Sequence, residues 1–295
     1  MSTVTQRVEI VRQPRGGYLN PKMFNIEYFE DGKTLNEDNI HPTYIGMVVD
    51  YMSRYLYFHD VRTAFDISIR GYNNRIKLLG DKAKSKDIID GTDCESLLLM
   101  IDGNNEKSIV AACKLCTYDV WYRNILRAHS SLNAIEMNPD KNTIENISIM
   151  LDRSLKFNEI YGPVIDSGVT FEPSGYTSVV DFGDGDFITN DTLWDFKVSK
   201  NKMSNKQTLQ LLMYWVMSKH SKKQKYEGIN KIGVFNPRLN CVYTLNMAKV
   251  SKEIVSEIEN NVICYGNTFL FSKDKIDLYF KINEKEVTSI KEISP

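Results

Sequence analysis

Residues 183–214, which run GDGDFITNDTLWDFKVSK and, after a short linker, KQTLQLLMY, constrain this 295-residue chain more than any other stretch. The apolar runs 187–188 and 193–198 flank Asn190 and Asp191, residues that favour a tight reversal, and the pattern predicts a β-hairpin. Side chains alternate faces along a strand, so Leu193, Asp195 and Lys197 share one face while Trp194, Phe196 and Val198 take the other. A hairpin symmetric about Asn190 and Asp191 sets Ile188 opposite Leu193, Phe187 opposite Trp194, and Asp186 opposite Asp195. Facing carboxylates repel. A divalent cation between them relieves the repulsion, and Lys197 stands one pleat away. The plainer alternative is a solvated hairpin end carrying surface charges.

The segment that follows weighs against solvation. Ser204 and Gln207 form a capping box, S-x-x-Q, and an apolar run begins at Leu209. Leu209, Leu211, Leu212, Met213, Trp215, Val216 and Met217 leave hardly any outward face, which predicts a buried helix. Gln207, Gln210, Tyr214 and Ser218 nevertheless make a polar stripe through it at spacings of three and four. Buried polar groups need partners, and the nearest in sequence are the carboxylates and the lysine just upstream.

Taken together, Gly183-x-x-Asp186, Asp195-x-Lys197 and Gln210-x-x-x-Tyr214 resemble the PD-(D/E)XK nuclease superfamily, in its RecB-type, lambda-exonuclease-like branch. The resemblance covers a small part of the chain, with its three elements in the family's order. It implies an α/β fold, a restriction-endonuclease-like core with a mixed central sheet flanked by helices. It also implies Mg²⁺- or Mn²⁺-dependent hydrolysis of phosphodiester bonds in nucleic acid, above all DNA. By position, Asp186 and Asp195 become metal ligands, with the Phe196 carbonyl completing the set. Lys197 becomes the residue that orients or deprotonates the attacking water, and Gln210 and Tyr214 those that position the scissile phosphate. The branch also carries a helix with G-x-x-x-H near its N-terminus. Residues 41–58 resemble it, with Asp50 standing where the histidine would, four after Gly46. Tyr44, Ile45, Val48, Tyr51, Met52 and Tyr55 give this segment an apolar face at helical spacing. Asp50 is thus a third candidate metal ligand, against the alternative of an i,i+4 pair with Arg54 on a solvated face. Glu159 and Glu145 are the next candidates for that third carboxylate.

The formal net charge of −1 is not that of a globally basic nucleic-acid binder. Lys200, Lys202 and Lys206 continue from Lys197 toward the helix and suit a phosphate track. Lys219, Lys222, Lys223 and Lys225 suit a solvated helix end. A near-neutral total implies modest, salt-sensitive affinity, or delivery to the substrate by a protein partner or within an oligomer. With 42% hydrophobic and 25% charged residues, the composition excludes a disordered chain. No apolar run reaches ~18 residues and the N-terminus has no apolar signal region, so neither a membrane span nor secretion is expected, and the location expected is cytoplasmic. Five cysteines at irregular spacing fit a reduced chain. Cys113 and Cys116 fit a helix face in a core better than an iron–sulfur site. The histidines His41, His59, His129 and His220 show no zinc spacing, and no P-loop, H-E-x-x-H or G-x-S-x-G motif is present.

These readings combine into one nuclease domain over residues 1–295, with a helical insertion lobe at 60–165 and a catalytic sheet–helix core at 166–250. Further strands are expected at 169–171, 231–235 and 241–245, a closing helix at 250–264 and an edge strand near 276–280. Residues 1–40 predict only a short strand-like run among charged turns. Trp121, Tyr122, Arg123 and Arg127 fit either core packing or a grip on nucleic acid. The rival functional class is a catalytically silent binding or inhibitor protein on a nuclease scaffold. A third class is a hydrolase acting on RNA or on a nucleotide.

Overall fold

Strand segments buried on both faces need cover above and below a sheet, and the computed structural model, which describes residues 2–266, provides both layers. The chain opens with β1 (Ser2–Thr3), α1 (Val4–Ile10) and β2 (Asn25–Tyr28), then enters α2 (Pro42–Phe58). A helical run follows: α3 (Val61–Ala64), α4 (Asp66–Leu79), α5 (Asp81–Ile89), α6 (Cys94–Leu99), α7 (Glu106–Cys116), α8 (Asp119–Arg123), α9 (Ile125–Ala128) and α10 (Lys141–Tyr161). Next come β3 (Asp166–Val169), β4 (Val180–Phe182), β5 (Gly185–Ile188), β6 (Thr192–Phe196) and α11 (Asn205–His220). β7 (Lys231–Asn236), β8 (Cys241–Asn246) and α12 (Lys252–Glu257) complete the order, α12 running into a π-helical turn at Ile258–Ile263.

Six strands form one mixed sheet in the order β2-β8-β7-β6-β5-β3. β6 and β7 are its parallel neighbours, and α11 is the crossover that parallel neighbours require. The architecture is therefore α/β, a mixed sheet flanked by helices. The hairpin has the register its sequence predicts: Ile188 pairs with Leu193 and Phe187 with Trp194, and the Thr189 N–H donates to the Thr192 carbonyl at 3.0 Å.

The faces sort as the alternation requires. Phe187, Trp194 and Phe196 join the apolar core built with α2, α7 and α10, where Phe157 stacks on Phe235 with ring centroids 4.3 Å apart. Ile188 and Leu193 join the opposite core, built with α11. In α11, Leu209, Leu211, Leu212, Met213, Val216 and Met217 are all fully buried. The helices between residues 61 and 161 share their apolar core with α2 and with one face of the sheet.

α2 starts and stops on local chemistry. His41 caps it, its ring nitrogen accepting the Thr43 N–H at 3.2 Å, and Pro42 supplies a first-turn φ that needs no donor. His59 ends it in the left-handed region at φ 55°.

Three expectations change. The strand expected at 169–171 is β3, Asp166–Val169, because Phe171 leaves the ladder to stack on Tyr214 at 5.5 Å. Residues 1–40 hold the expected short strand as β2 but also α1, which was not expected and is secured by a capping box between Thr3 and Gln6. The closing helix at 250–264 is split between α12 and its π-helical turn. The edge strand expected near 276–280 lies outside the described residues. Among the described residues no helix is long and apolar enough to cross a membrane.

Candidate active site at the open end of a hairpin

β5–β6 pairing ends at Phe187 and Trp194, one residue short of the two carboxylates. Beyond that point Asp186 Oδ2 accepts the Phe196 N–H at 2.6 Å. The Phe196 peptide, expected to contribute its carbonyl, is tied to the site through its N–H, while its ring packs into the core built with α2, α7 and α10. Gly183 brings the chain into this arrangement. Its φ is +147°, and a Cβ there would lie 2.6 Å from Val4 Cγ2, so a side chain would push β5 away from α1.

Asp195 is 1% exposed. Its Oδ1 lies 2.8 Å from Lys197 Nζ, and its Oδ2 is buried with no hydrogen-bond partner. Burial pushes its pKa up to about 7, with Lys197 opposing the rise and Asp186 adding to it. Burial works against the charge on Lys197, yet Asp195 and Asp186 hold its pKa above the ordinary lysine value.

From the helix above, Gln210 Nε2 donates to the Tyr214 hydroxyl at 2.9 Å. Burial and the negative charges of Asp195 and Asp186 keep Tyr214 protonated far beyond the ordinary tyrosine range. Tyr214 thus lies within reach of the carboxylates' charge, and Gln210 is joined to it. The rest of the polar stripe does not: Gln207 turns back to cap α11 at Ser204, and Ser218 donates to the Trp215 carbonyl at 2.7 Å.

Asp50 partly satisfies both of its readings. It pairs with Arg54 through two prongs, Nε–Oδ1 at 2.9 Å and Nη2–Oδ2 at 3.0 Å. The pair is not on a solvated face, since the side chains are only 23% and 25% exposed. Burial raises the Asp50 pKa, Arg54 lowers it, and Asp186 raises it further, which places Asp50 beside the hairpin carboxylates. Both Asp50 oxygens accept from Arg54, so a cation ligated by Asp50 would share it with Arg54. The fallback candidates lie elsewhere: Glu159 is exposed and pairs with Lys156, and Glu145 is exposed.

Two members were missed from the sequence. Asp184 feels both Arg54 and Asp186 and accepts the Tyr176 hydroxyl at 3.3 Å, and burial raises its pKa. Arg54 belongs to the site, not to solvent. Asp184 stood in view in the GDGD run, but nothing local distinguished it from a turn residue.

The basic residues divide. Lys200, Lys202 and Lys206 are exposed, but Lys206 is bound to Glu9, which weakens its claim on a phosphate track. Trp121 is core, 6% exposed, whereas Arg123 is 57% exposed along its side chain. Cys113 and Cys116 are buried in α7.

Among the described residues, no three His, Cys, Asp or Glu side chains stand ready as a metal-binding group. Two features nonetheless fit a divalent cation at Asp186 and Asp195. One is the orphaned Asp195 Oδ2, a buried lone-pair donor without a partner. The other is crowding: Asp186 acts on each of the carboxylates Asp50, Asp184 and Asp195 and raises their pKa values, with Arg54, Arg123, Lys197 and Lys223 opposing. An all-oxygen donor set suits Mg²⁺ or Mn²⁺ better than zinc. Among family models, curated proteins and solved structures, nothing matches the chain.

Proposed function

We propose that the chain is a Mg²⁺- or Mn²⁺-dependent nuclease with a restriction-endonuclease-like core, cleaving phosphodiester bonds in nucleic acid, with DNA the substrate of first choice. One observation carries this reading. A fully buried aspartate, Asp195, has one oxygen on Lys197 and the other unpartnered, with Asp186 alongside. Such an arrangement is costly for a fold to keep unless something cationic uses it.

Asp186 and Asp195 would hold the divalent cation, which would lower the pKa of the attacking water and offset phosphate charge. Lys197 sets a fixed positive charge beside the position where negative charge develops at phosphorus. Tyr214, kept protonated by its surroundings, donates a hydrogen bond to a phosphate oxygen, and Gln210 fixes the direction of its hydroxyl. Asp50 and Arg54 close the other side, and Arg54 exchanges its grip on Asp50 for the phosphate. The water oxygen bonds to phosphorus as the bond to one sugar oxygen breaks, and that oxygen leaves with a proton. The near-neutral chain reaches its substrate in a cytoplasmic setting, through a partner or an oligomer.

The test is a gel assay of the purified chain on linear, circular and single-stranded DNA and on RNA, with Mg²⁺, Mn²⁺ or EDTA. Metal-dependent cleavage that Lys197→Ala abolishes supports the reading. The bidentate Arg54 grip on Asp50 favours the alternative, a silent nuclease-fold binding or inhibitor protein, because it ties up a would-be ligand. Binding of nucleic acid without cleavage under any of these conditions would establish that alternative.

A further inference from the structure

Arg123 is held in an unusual way for a residue that only balances a buried acid. Asp119, on the same short helix, is 2% exposed and already has both oxygens occupied. Tyr51 donates its hydroxyl to Oδ2 at 2.6 Å, and Ser68 donates to Oδ1 at 2.6 Å. Arg123 adds a long Nε contact of 3.4 Å to Asp119 and donates from Nη2 to the Tyr51 hydroxyl at 3.0 Å. A guanidinium needed solely for neutralisation would sink in beside its carboxylate, yet this side chain stays 57% exposed. Two of its three nitrogens are tied to a rigid mount while much of the side chain stays open to solvent. The mount is stiff because α8 lies directly on α4: a Cβ at Gly71 would sit 2.0 Å from the Tyr118 carbonyl oxygen.

The mount also connects to the candidate active site. Tyr51 follows Asp50 in α2, and Arg54 Cζ lies over the Tyr51 ring, 6.0 Å from its centroid. Arg54 and Arg123 therefore flank one buried tyrosine, one over its face and the other at its hydroxyl. The positive charge of Arg123 also reaches Asp50, which it helps to keep ionised.

The geometry points to Arg123 as a second phosphate clamp: it binds a backbone phosphate next to the scissile one, on the helical side of the site, and is held in place by Tyr51 and the buried Asp119. The inference rests on the nuclease reading of the Asp186–Asp195 site. It predicts that the chain grips an extended strand across at least two phosphates, the scissile one beside Lys197 and its neighbour at Arg123. A guanidinium fork suits a phosphate better than a lysine would.

The experiment compares wild type, Arg123→Ala, Arg123→Lys and Lys249→Ala on a dinucleotide and on a longer oligonucleotide, measuring KM and kcat. Binding of a fluorescent oligonucleotide is followed in parallel across a salt series in EDTA, and thermal melts check folding. Arg123→Ala should raise KM on the longer strand by about tenfold, with a smaller effect on kcat. Its salt slope should fall by about one. The loss should be several times smaller on the dinucleotide. Arg123→Lys should fall between, and Lys249→Ala, which removes an exposed charge beyond β8, should match wild type. Equal losses on both substrates would make Arg123 a structural prop and overturn the proposal, as would a wild-type salt slope in a folded Arg123→Ala protein. A wild type that neither binds nor cleaves any of these nucleic acids would instead end the nuclease reading itself, and the clamp with it.

Discussion

Asp50 and Arg54 meet in a two-pronged ion pair, at 2.9 and 3.0 Å, lodged beside Asp186 instead of facing open solvent. One helical turn thus delivers to the hairpin carboxylates both a negative group and the cation that covers it. A cation entering the site competes with Arg54 for Asp50, and a phosphate competes with Asp50 for Arg54. Substrate and metal would therefore loosen the same pair from opposite sides.

Arg54→Ala is expected to lower stability in EDTA by roughly 1–3 kcal/mol, because it leaves a largely buried carboxylate beside Asp186 uncompensated. The same variant should gain more than wild type on adding Mg²⁺, since Asp50 is then free to ligate. Asp50→Ala should do neither. Thermal melts of the three proteins with and without metal check this, and identical metal shifts would place Asp50 outside any cation site.

Lys197→Ala should cut cleavage by ~10²–10³ while leaving the fold intact. Lys197 Nζ is the hydrogen-bond partner of Asp195 Oδ1, so the substitution also strips the buried carboxylate of the one cation bonded to it among the described residues. Wild-type rates from a well-folded Lys197→Ala protein would remove the proposed role of Lys197 and move the chain toward the binding-protein reading.

Asp195 sets a pH dependence whose sign follows from its surroundings. Its pKa in the fold is pushed up to about 7, above the ~3.9 of an exposed aspartate. The folded state therefore holds a proton that the unfolded chain has already released. Its stabilising contribution is complete below about pH 4 and is lost as pH rises toward about 7. In EDTA, wild-type stability should decline across that window relative to Asp195→Asn, which has no such proton to lose. Mg²⁺ should restore wild type above the window and leave the variant unmoved. Parallel pH–stability curves for the two proteins would contradict the assignment.

Two glycines should respond in opposite directions. A Cβ at Gly46, inside α2, would meet nothing within 4 Å, so Gly46→Ala should stabilise by ~0.4–1 kcal/mol. If the same variant also slows cleavage, the open space above Gly46 is where the substrate backbone approaches. A Cβ at Gly71 would be forced to 2.0 Å from the Tyr118 carbonyl oxygen, so Gly71→Ala should separate α4 from α8 and destabilise by about 2 kcal/mol or more. Chemical denaturation of both variants measures the contrast.

Local rules were enough for the parts of this protein in which cause and effect lie a few residues apart. The register of Ile188 on Leu193 and Phe187 on Trp194 follows from one turn and strict alternation, and structure and sequence agree there. The same holds for α2, bounded by Pro42 and His59, and for α11, capped by Ser204 and Gln207. That capping also shows where a local pattern misleads: Gln207 fits the polar stripe by spacing, but a backbone donor at the helix start claims its side chain first. The capped helix after Thr3 was legible in principle from T-x-x-Q and was obscured by its shortness. Only the tertiary structure decided that Asp50 and Arg54 lie against Asp186, that Asp184 joins them, that Lys206 is taken by Glu9, and that Arg123 stays exposed while tied to a buried Asp119. The pairs Asp50–Arg54 and Asp119–Arg123 have helical i,i+4 spacing, but what surrounds them, Asp186 in one case and Tyr51 and Ser68 in the other, comes from segments far apart in the chain that no propensity or period encodes. These contacts arise because the sheet buries both of its faces, which forces α2 and α11 onto opposite sides of one hairpin and brings their polar residues to its open end.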